Sequence, residues 1–134
     1  MVDQAPRPRW RFYRSAGGTP EAKNELDALP AYAQAGLADL MHRYKMDEGV
    51  LPREVDNYGG GIYALKFSSS HNEFRCYFAH ESTKGPTKVY LALAFMYKKT
   101  EAASLGSAKD RLKDWRARSR AKKRLAKRQK TAGK

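Results

Sequence analysis

The sequence is poor in cysteine and histidine and has no long hydrophobic run. A single cysteine excludes an internal disulfide framework and suits a reducing compartment. The first ten residues contain no apolar run and no segment reaches the length of a membrane span, so we expect a cytoplasmic protein without a signal peptide or a membrane partner. His42, His71 and His80 share no metal-ligand spacing and Cys76 has no thiol partner, which predicts neither a metal nor a cofactor.

The sequence signatures of several enzyme classes are also absent. No Walker phosphate loop, GxSxG nucleophile elbow or cysteine–histidine arrangement occurs. His71 lies in a predicted turn and His80 at a predicted strand end. Both are candidate acid–base groups, although a solvated histidine is the more common finding at such positions.

Positive charge is the feature that the sequence has in excess. The 134 residues suit one domain with one core, and the net charge is +13. From residue 109 onward lie 13 of the 27 basic residues but only two of the 14 acidic ones. Such a polycation attracts phosphate backbones without specifying their sequence. We therefore expect a folded domain over residues 1–116 and a polybasic extension over residues 117–134.

The hydrophobic pattern predicts an α+β fold in the order β-α-α-β-β-β-α, with an antiparallel sheet, a helical hairpin on one face and a basic C-terminal helix. The first strand is expected over Trp10–Arg14. Thr19 is the predicted N-cap of a short helix with Pro20 at its first position. A longer helix is expected to run to about Lys45 and to end at Gly49.

Three strands and a long helix complete the prediction. The segments IYALKFS and FRCYFAHE alternate like half-buried strands, and VYLALAFMYK is apolar on both faces, as expected of a strand inside the sheet. The glycine-rich segment LPREVDNYGGG before them is predicted as an irregular loop. From Glu101 the chain is predicted to be helical, with one apolar stripe formed by Leu105, Ala108, Leu112 and Trp115.

Several cations are expected to converge on one sheet face. Lys66 and Arg75 lie on neighbouring predicted strands joined by a short turn, and alternation lets both share the less apolar face with Tyr77. Lys98 and Lys99 follow the third of these strands. A crowded lysine is able to act as a general base, and an arginine stabilises a pentacoordinate phosphate, which suits attack by an RNA 2′-hydroxyl without a metal. A plain phosphate-binding surface remains the alternative.

Three segments resemble the RelE/HigB toxins of type II toxin–antitoxin systems, in particular the phage-derived HigB-like branch of the RelE/ParE superfamily. They are WRFYRSAGGTPEAKNELDALP, GGGIYALKFSSSHNEFRCYFAH and LALAFMYKKT, the last followed by a helix. The resemblance spans roughly residues 10–116. Its most specific pieces are the G-x-Y-x-L-K/R-F strand, the arginine that opens the next strand, and F-x-x-K-K-T.

The resemblance implies a RelE-like fold and a ribosome-dependent mRNA interferase, that is, a metal-independent endoribonuclease that inhibits translation. It also implies a cognate antitoxin, typically a helix-turn-helix protein in this branch, and the ribosome and mRNA as partners. It says nothing about a chaperone.

The resemblance also implies site residues. Basic residues at the matching strand positions work in RelE-type members, so Lys66, Arg75, Lys98 and Lys99 are the expected catalytic cations. Ala64 stands where RelE itself has a second lysine, and the last helix lacks the RelE tyrosine, for which Tyr77 and Tyr97 are the candidate substitutes. The expected RNA-binding residues are Arg53, Tyr97, Arg116, Arg118, Arg120, Lys122, Lys123 and Arg124.

Two other functions remain open from the sequence. One is a relative of the same fold without RNase activity, either a ParE-like gyrase poison or an inactive binding protein. The other is a small RNA- or ribosome-binding protein whose basic tail does the binding. Lys66 together with Arg75 favours the interferase over the gyrase poison, because gyrase poisons generally lack this cation set.

Overall fold

The computed structural model describes residues 8–69, 71–82, 88–97 and 101–132. Its elements in chain order are β1 (Arg9–Phe12), α1 (Glu21–Asp27), α2 (Ala31–Met46), a 3-10 turn (Pro52–Glu54), β2 (Val55–Gly59), β3 (Ile62–Ser69), β4 (Asn72–Ser82), β5 (Val89–Tyr97) and α3 (Glu101–Ala132). No helix in the described ranges is both long enough and apolar enough to cross a membrane.

The five strands form one mixed sheet in the order β1-β5-β4-β3-β2. β1 runs parallel to β5 and every other pair is antiparallel. The predicted α+β class is therefore confirmed. The predicted antiparallel arrangement is wrong for β1, which no hairpin joins to β5 and which pairs with it in parallel, and β2 replaces part of the predicted loop. β2 is an edge strand with the sequence VDNYG, so it lacks the apolar alternation that would have revealed it. Gly59, Gly60 and Gly61 all have positive φ and form the tight turn into β3.

Helices cover both faces of the sheet. α2 packs on the first face, where Tyr32 meets Phe74 and the backbone at Gly36 lies so close to Phe67 that a Cβ would stand 2.3 Å from its ring. α3 covers one end of the opposite face, where its Leu112 and Ile62 of β3 line the same groove. The rest of that second face is called the open face below.

β5 is buried along nearly its whole length, as its apolar sequence predicts. Leu93 is the extra residue of a bulge opposite β4, so its carbonyl needs a partner outside that pairing. Arg111 of α3 supplies it, because its NH1 donates to Leu93 O at 2.8 Å and to Glu25 Oε1 at 2.8 Å. Glu25 of α1 also accepts from the Phe95 N–H at 3.1 Å. This ion pair thus joins α1, α3 and β5.

Two predicted helix ends are wrong in detail. Pro20, not Thr19, is the N-cap of α1, and no side chain caps the helix there. The left-handed residue that ends α2 is Asp47, with φ 56°, rather than Gly49. Aspartate tolerates this conformation better than most residues, because its short polar side chain bonds locally.

α3 is a helix of 32 residues that follows the prediction from Glu101. Of its predicted apolar stripe, Ala108 and Leu112 are buried and Leu105 and Trp115 pack against the core at partial burial. Over residues 116–128 most side chains are basic and most are exposed, while Arg118 and Ser119 are partly buried. The first half of α3 is therefore docked by apolar contacts, and the second half presents charge.

Candidate active site

Lys66 and Arg75 are directly opposite each other in the β3–β4 ladder. Residues paired in this way point to the same side of the sheet, and here that side is the open face. Ala64 and Tyr77 form the next pair on the same face. The convergence of Lys66 and Arg75 that alternation predicts is thus present in the structure.

Each of the two cations is held by a carboxylate. Lys66 Nζ lies 3.1 Å from Asp56 Oδ1 of β2. Arg75 Nε donates to Glu73 Oε2 at 2.7 Å, and its NH1 donates to the Tyr58 hydroxyl. Arg75 is 8% exposed, which makes it the one buried charged residue in the described chain. The guanidinium is therefore fixed in orientation before any ligand arrives.

Tyr77 lies beneath this cluster rather than in it. It is fully buried, and its ring packs on that of Tyr58 with centroids 5.6 Å apart. Tyr58 is the extra residue of the bulge in β2, which turns its side chain toward Arg75. The tyrosine that meets the catalytic candidates at the surface is therefore Tyr58.

Sequence reasoning missed Asp56, Tyr58 and Glu73. Glu73 precedes Arg75 by two residues in a predicted strand, so alternation alone was enough to place them on one face. Asp56 and Tyr58 were hidden because β2 was not recognised as a strand.

The other end of the expected catalytic set is only partly described. Met96 is the β5 residue opposite Arg75, and it is buried. Lys98 and Lys99 lie outside the described residues. Tyr97 pairs with Phe74 and contacts its ring at 5.1 Å, which places it on the face that α2 covers.

The remaining candidate polar groups lie away from this cluster. Arg53 is exposed on the 3-10 turn before β2, and His42 and His71 are exposed. His80 lies under α2, where its Nε2 is 2.9 Å from the Tyr44 hydroxyl. Burial, aided by the charge of Lys88, lowers the pKa of His80.

Two further observations concern thiols and metals. Cys76 is fully buried, and burial raises the pKa of its thiol, as expected of a core residue. Within the described ranges, no three histidine, cysteine, aspartate or glutamate side chains are grouped so as to hold a metal ion.

The basic residues of α3 differ from one another in their contacts. Arg118 donates to Asp114 Oδ2 at 2.7 Å and lies over the rings of Tyr13 and Trp115. The hydrogen bond from Arg118 lowers the pKa of Asp114. Arg116 lies against the β2–β3 turn at Gly61. The remaining cations predicted to bind RNA are exposed along the helix: Arg120, Lys122, Lys123 and Arg124.

Comparison with known proteins gives a consistent result. No family model matches the chain. The chain is 32% identical over 118 residues to the "Probable endoribonuclease HigB1" of Mycobacterium tuberculosis strain CDC 1551 / Oshkosh. The same values hold for the protein of that name from strain ATCC 25618 / H37Rv. Each alignment covers 85% of this chain and 90% of the relative.

The five-stranded mixed sheet with a helical hairpin and a long C-terminal helix defines an α+β protein with a RelE-like fold. The sequence identity to these relatives, and the share of the chain that it covers, establish the family as well as the fold. The chain belongs to the HigB family, the toxins of toxin–antitoxin systems, and so has an antitoxin as a partner. The predicted resemblance is confirmed.

Proposed function

We propose that this HigB toxin is a metal-independent endoribonuclease that cleaves mRNA on the ribosome in the cytoplasm and thereby inhibits translation. The observation that carries the proposal is the pair of Lys66 and Arg75 on the open face, with Arg75 oriented by Glu73 and Tyr58. The relatives are named as endoribonucleases, which supports the same activity. Lys98 and Lys99 complete the proposed set.

In the proposed reaction, an RNA 2′-oxygen attacks the adjacent phosphorus. The new 2′-O–P bond forms as the P–5′-O bond breaks, leaving a 2′,3′-cyclic phosphate and a 5′-hydroxyl, with the 5′-oxygen protonated by solvent. Arg75 stabilises the extra negative charge on the phosphorane. Donors that are already oriented do this at no cost of reorganisation in the transition state.

The proton of the 2′-hydroxyl needs an acceptor. In the observed ion pair, Lys66 is an ammonium group with three donors and no acceptor, whereas Asp56 is a carboxylate with free acceptor sites. We therefore assign the general base to Asp56 and charge stabilisation to Lys66. Tyr77, being buried, supports the ring of Tyr58 and does not contact substrate.

Other parts of the chain have binding roles in this proposal. The exposed cations of α3, together with Arg53, add affinity for RNA that depends on salt and not on sequence. Tyr97 is a weaker candidate, because it lies on the face that α2 covers. The antitoxin is proposed to be of the helix-turn-helix type.

The test is to induce the protein in growing bacterial cells, and to map mRNA 5′ ends while following protein synthesis and DNA breaks. We expect growth arrest, a stop in protein synthesis and new 5′ ends within open reading frames. The matched control is the Arg75→Ala protein produced at the same level. Continued protein synthesis with DNA breaks would instead identify a gyrase poison. Arrest without new 5′ ends would indicate binding without cleavage.

A further inference from the structure

A second concentration of positive charge lies where β1 faces α3. A groove of about 390 Å³ separates these two elements. Its walls carry five cations: Arg9 and Arg11 from β1, and Arg116, Arg120 and Lys123 from α3. Glu81 is the one carboxylate in the lining, and Trp115 closes the floor with apolar side chains of the sheet.

Local geometry explains why these cations meet. Arg9 and Arg11 are two residues apart on a strand, so they share one face and lie about 7 Å apart along β1. The α3 cations follow the spacing i, i+4, i+7, which places them along one side of the helix. The two rows come from residues more than 100 positions apart in the sequence. Neither row alone forms a groove.

Most of these cations differ from Lys66 and Arg75 in having no ion-pair partner among the described residues. Arg11 is paired with Glu81 at 3.2 Å and lies over the Trp115 ring at 5.1 Å. The other four cations of the groove form no ion pair with any described residue. Like charges held on facing walls without counter-charges repel each other, so a polyanion that enters the groove is favoured.

The lining favours a nucleic acid over a protein partner. Protein interfaces need large apolar anchors, whereas protein–nucleic acid interfaces are polar and strongly positive. In the described chain, none of the exposed large hydrophobic residues lines this groove; they are Tyr32, Met46, Leu51 and Leu125. Arginine predominates among the lining cations, and its guanidinium fork matches two phosphate oxygens at once.

We propose that this β1–α3 groove binds the phosphate backbone of RNA at a site separate from Lys66 and Arg75. Ala79, which lines the groove, lies four residues from Arg75 along β4, or about 13 Å. The inference rests on the proposed function only in taking RNA as the polynucleotide. The bound strand is either messenger RNA beyond the cleaved phosphate or helical ribosomal RNA, which share the same backbone chemistry.

The test measures binding without cleavage. The probes are a fluorescent 12-nucleotide 2′-O-methyl RNA and its 12-base-pair duplex, both of which lack the attacking hydroxyl. Full-length protein is titrated with each probe from 50 mM to 300 mM salt. The groove variant carries Arg9→Gln and Arg120→Gln. Its matched control carries Lys23→Gln and Lys45→Gln, which remove the same charge from α1 and α2 at positions that do not line the groove.

We expect the groove variant to flatten the salt dependence of affinity by about 1.4 log units per log unit of salt on the single strand, and by about 1.8 on the duplex, because each lost contact contributes about 0.7 or 0.9. Extended from 1 M to 0.1 M salt, the smaller value corresponds to about 25-fold less gain in affinity. The control should change the slope by less than half as much. The probe whose slope change reaches its own expected value, about 1.4 for the single strand or about 1.8 for the duplex, identifies the source of the strand.

Equal slopes for the groove variant and the control would overturn the proposal, since only net charge would then matter. An unchanged slope in the groove variant would overturn it as well. Thermal melts check that both proteins fold. A second groove variant, Arg116→Gln with Lys123→Gln, must repeat the result. Cleavage by the wild-type protein is measured separately, so loss of the proposed activity and loss of the groove are distinguishable.

Discussion

The open-face cluster, formed by Lys66, Arg75 and the side chains that contact them, and the β1–α3 groove are both rich in cations. They differ in whether those cations are paired with carboxylates. In the cluster, Lys66 and Arg75 are each neutralised by a carboxylate and fixed in place. In the groove, four of five cations have no ion-pair partner among the described residues. Fixed, paired groups suit a reaction at one phosphate, whereas unpaired groups along two walls suit a long polyanion.

The difference has an energetic cause. Burial of a guanidinium such as Arg75 removes most of its hydration, which costs free energy unless a carboxylate compensates for it. Exposed cations such as Arg9 and Arg120 keep their hydration and need no partner. Buried cations therefore need a carboxylate partner, whereas exposed cations do not. Mutations in one region should consequently leave the other region intact.

The largest effect is expected for Arg75→Ala. Loss of one oriented donor to the transition state lowers the cleavage rate by on the order of 10²–10³. Cleavage is measured on ribosomes translating a defined message, with circular dichroism to confirm folding. Arg75→Lys should recover little, because an ammonium group lacks the planar fork. RNA affinity and its salt dependence should remain those of the wild type. A folded, fully active Arg75→Ala protein contradicts the assignment.

Asp56→Asn tests the proposed general base of the cluster. If Asp56 accepts the 2′-hydroxyl proton, its amide should lower the cleavage rate by about 10² or more. The matched control is Asp39→Asn, which removes a carboxylate paired with Arg43 on the surface of α2. Equal activities of the two variants would remove Asp56 from the mechanism and return the role of base to Lys66.

Arg111→Met separates the docked half of α3 from its charged half. The change leaves Glu25 and the Leu93 carbonyl without their shared donor, so the free energy of unfolding should fall by about 2 kcal/mol. Urea unfolding measures this value. Lys109→Met, at an exposed position of the same helix, should change it little. RNA affinity per folded molecule should be equal in both variants. A loss of affinity specific to Arg111→Met would show that docking of α3 and RNA binding are not independent.

Two truncations locate the end of the folded domain. Removal of residues 124–134 should leave the free energy of unfolding within about 0.5 kcal/mol, because the side chains of residues 124–128 are exposed. Removal of residues 117–134 also deletes Arg118, which bonds Asp114 and covers Tyr13, and should cost about 1 kcal/mol. Equal stability of the two proteins would support the boundary after Arg116 that charge distribution alone predicts.

The smallest effect concerns His80, which belongs to neither set of cations and whose Nε2 is hydrogen-bonded to the Tyr44 hydroxyl of α2. Folding lowers its pKa below the ordinary 6.5, so the unfolded chain takes up this proton first as pH falls. Its contribution to stability is complete above pH 6.5 and declines as the pH drops below that value toward the folded pKa. Urea unfolding between pH 5 and 7.5 should show less decline for His80→Gln than for wild type. His71→Gln, at an exposed turn, should behave as wild type.

Prediction from the sequence succeeded where neighbours in the chain carry the signal. Lys66 and Arg75 are joined by a short hairpin, so alternation placed them on one face. The buried β5 and the stripe of α3 followed from local apolar patterns. The sequence did not predict β2, because an edge strand needs no apolar alternation. Asp56 and Tyr58, which lie on β2, were therefore missed as well. Arg111 and Glu25 are 86 residues apart, so no local sequence pattern predicts that they pair.

The sequence alone therefore determined the α+β class, the family, the two central cations and the uneven distribution of charge, because periodicity, motif spacing and composition are local properties. Only the tertiary structure decided which carboxylates hold those cations, that Tyr58 rather than Tyr77 reaches them, and that Arg9 faces Arg120 across a groove. These outcomes depend on β1 pairing in parallel with β5 and on α3 packing over the same sheet. Such contacts join distant segments, and burial of the shared core selects them.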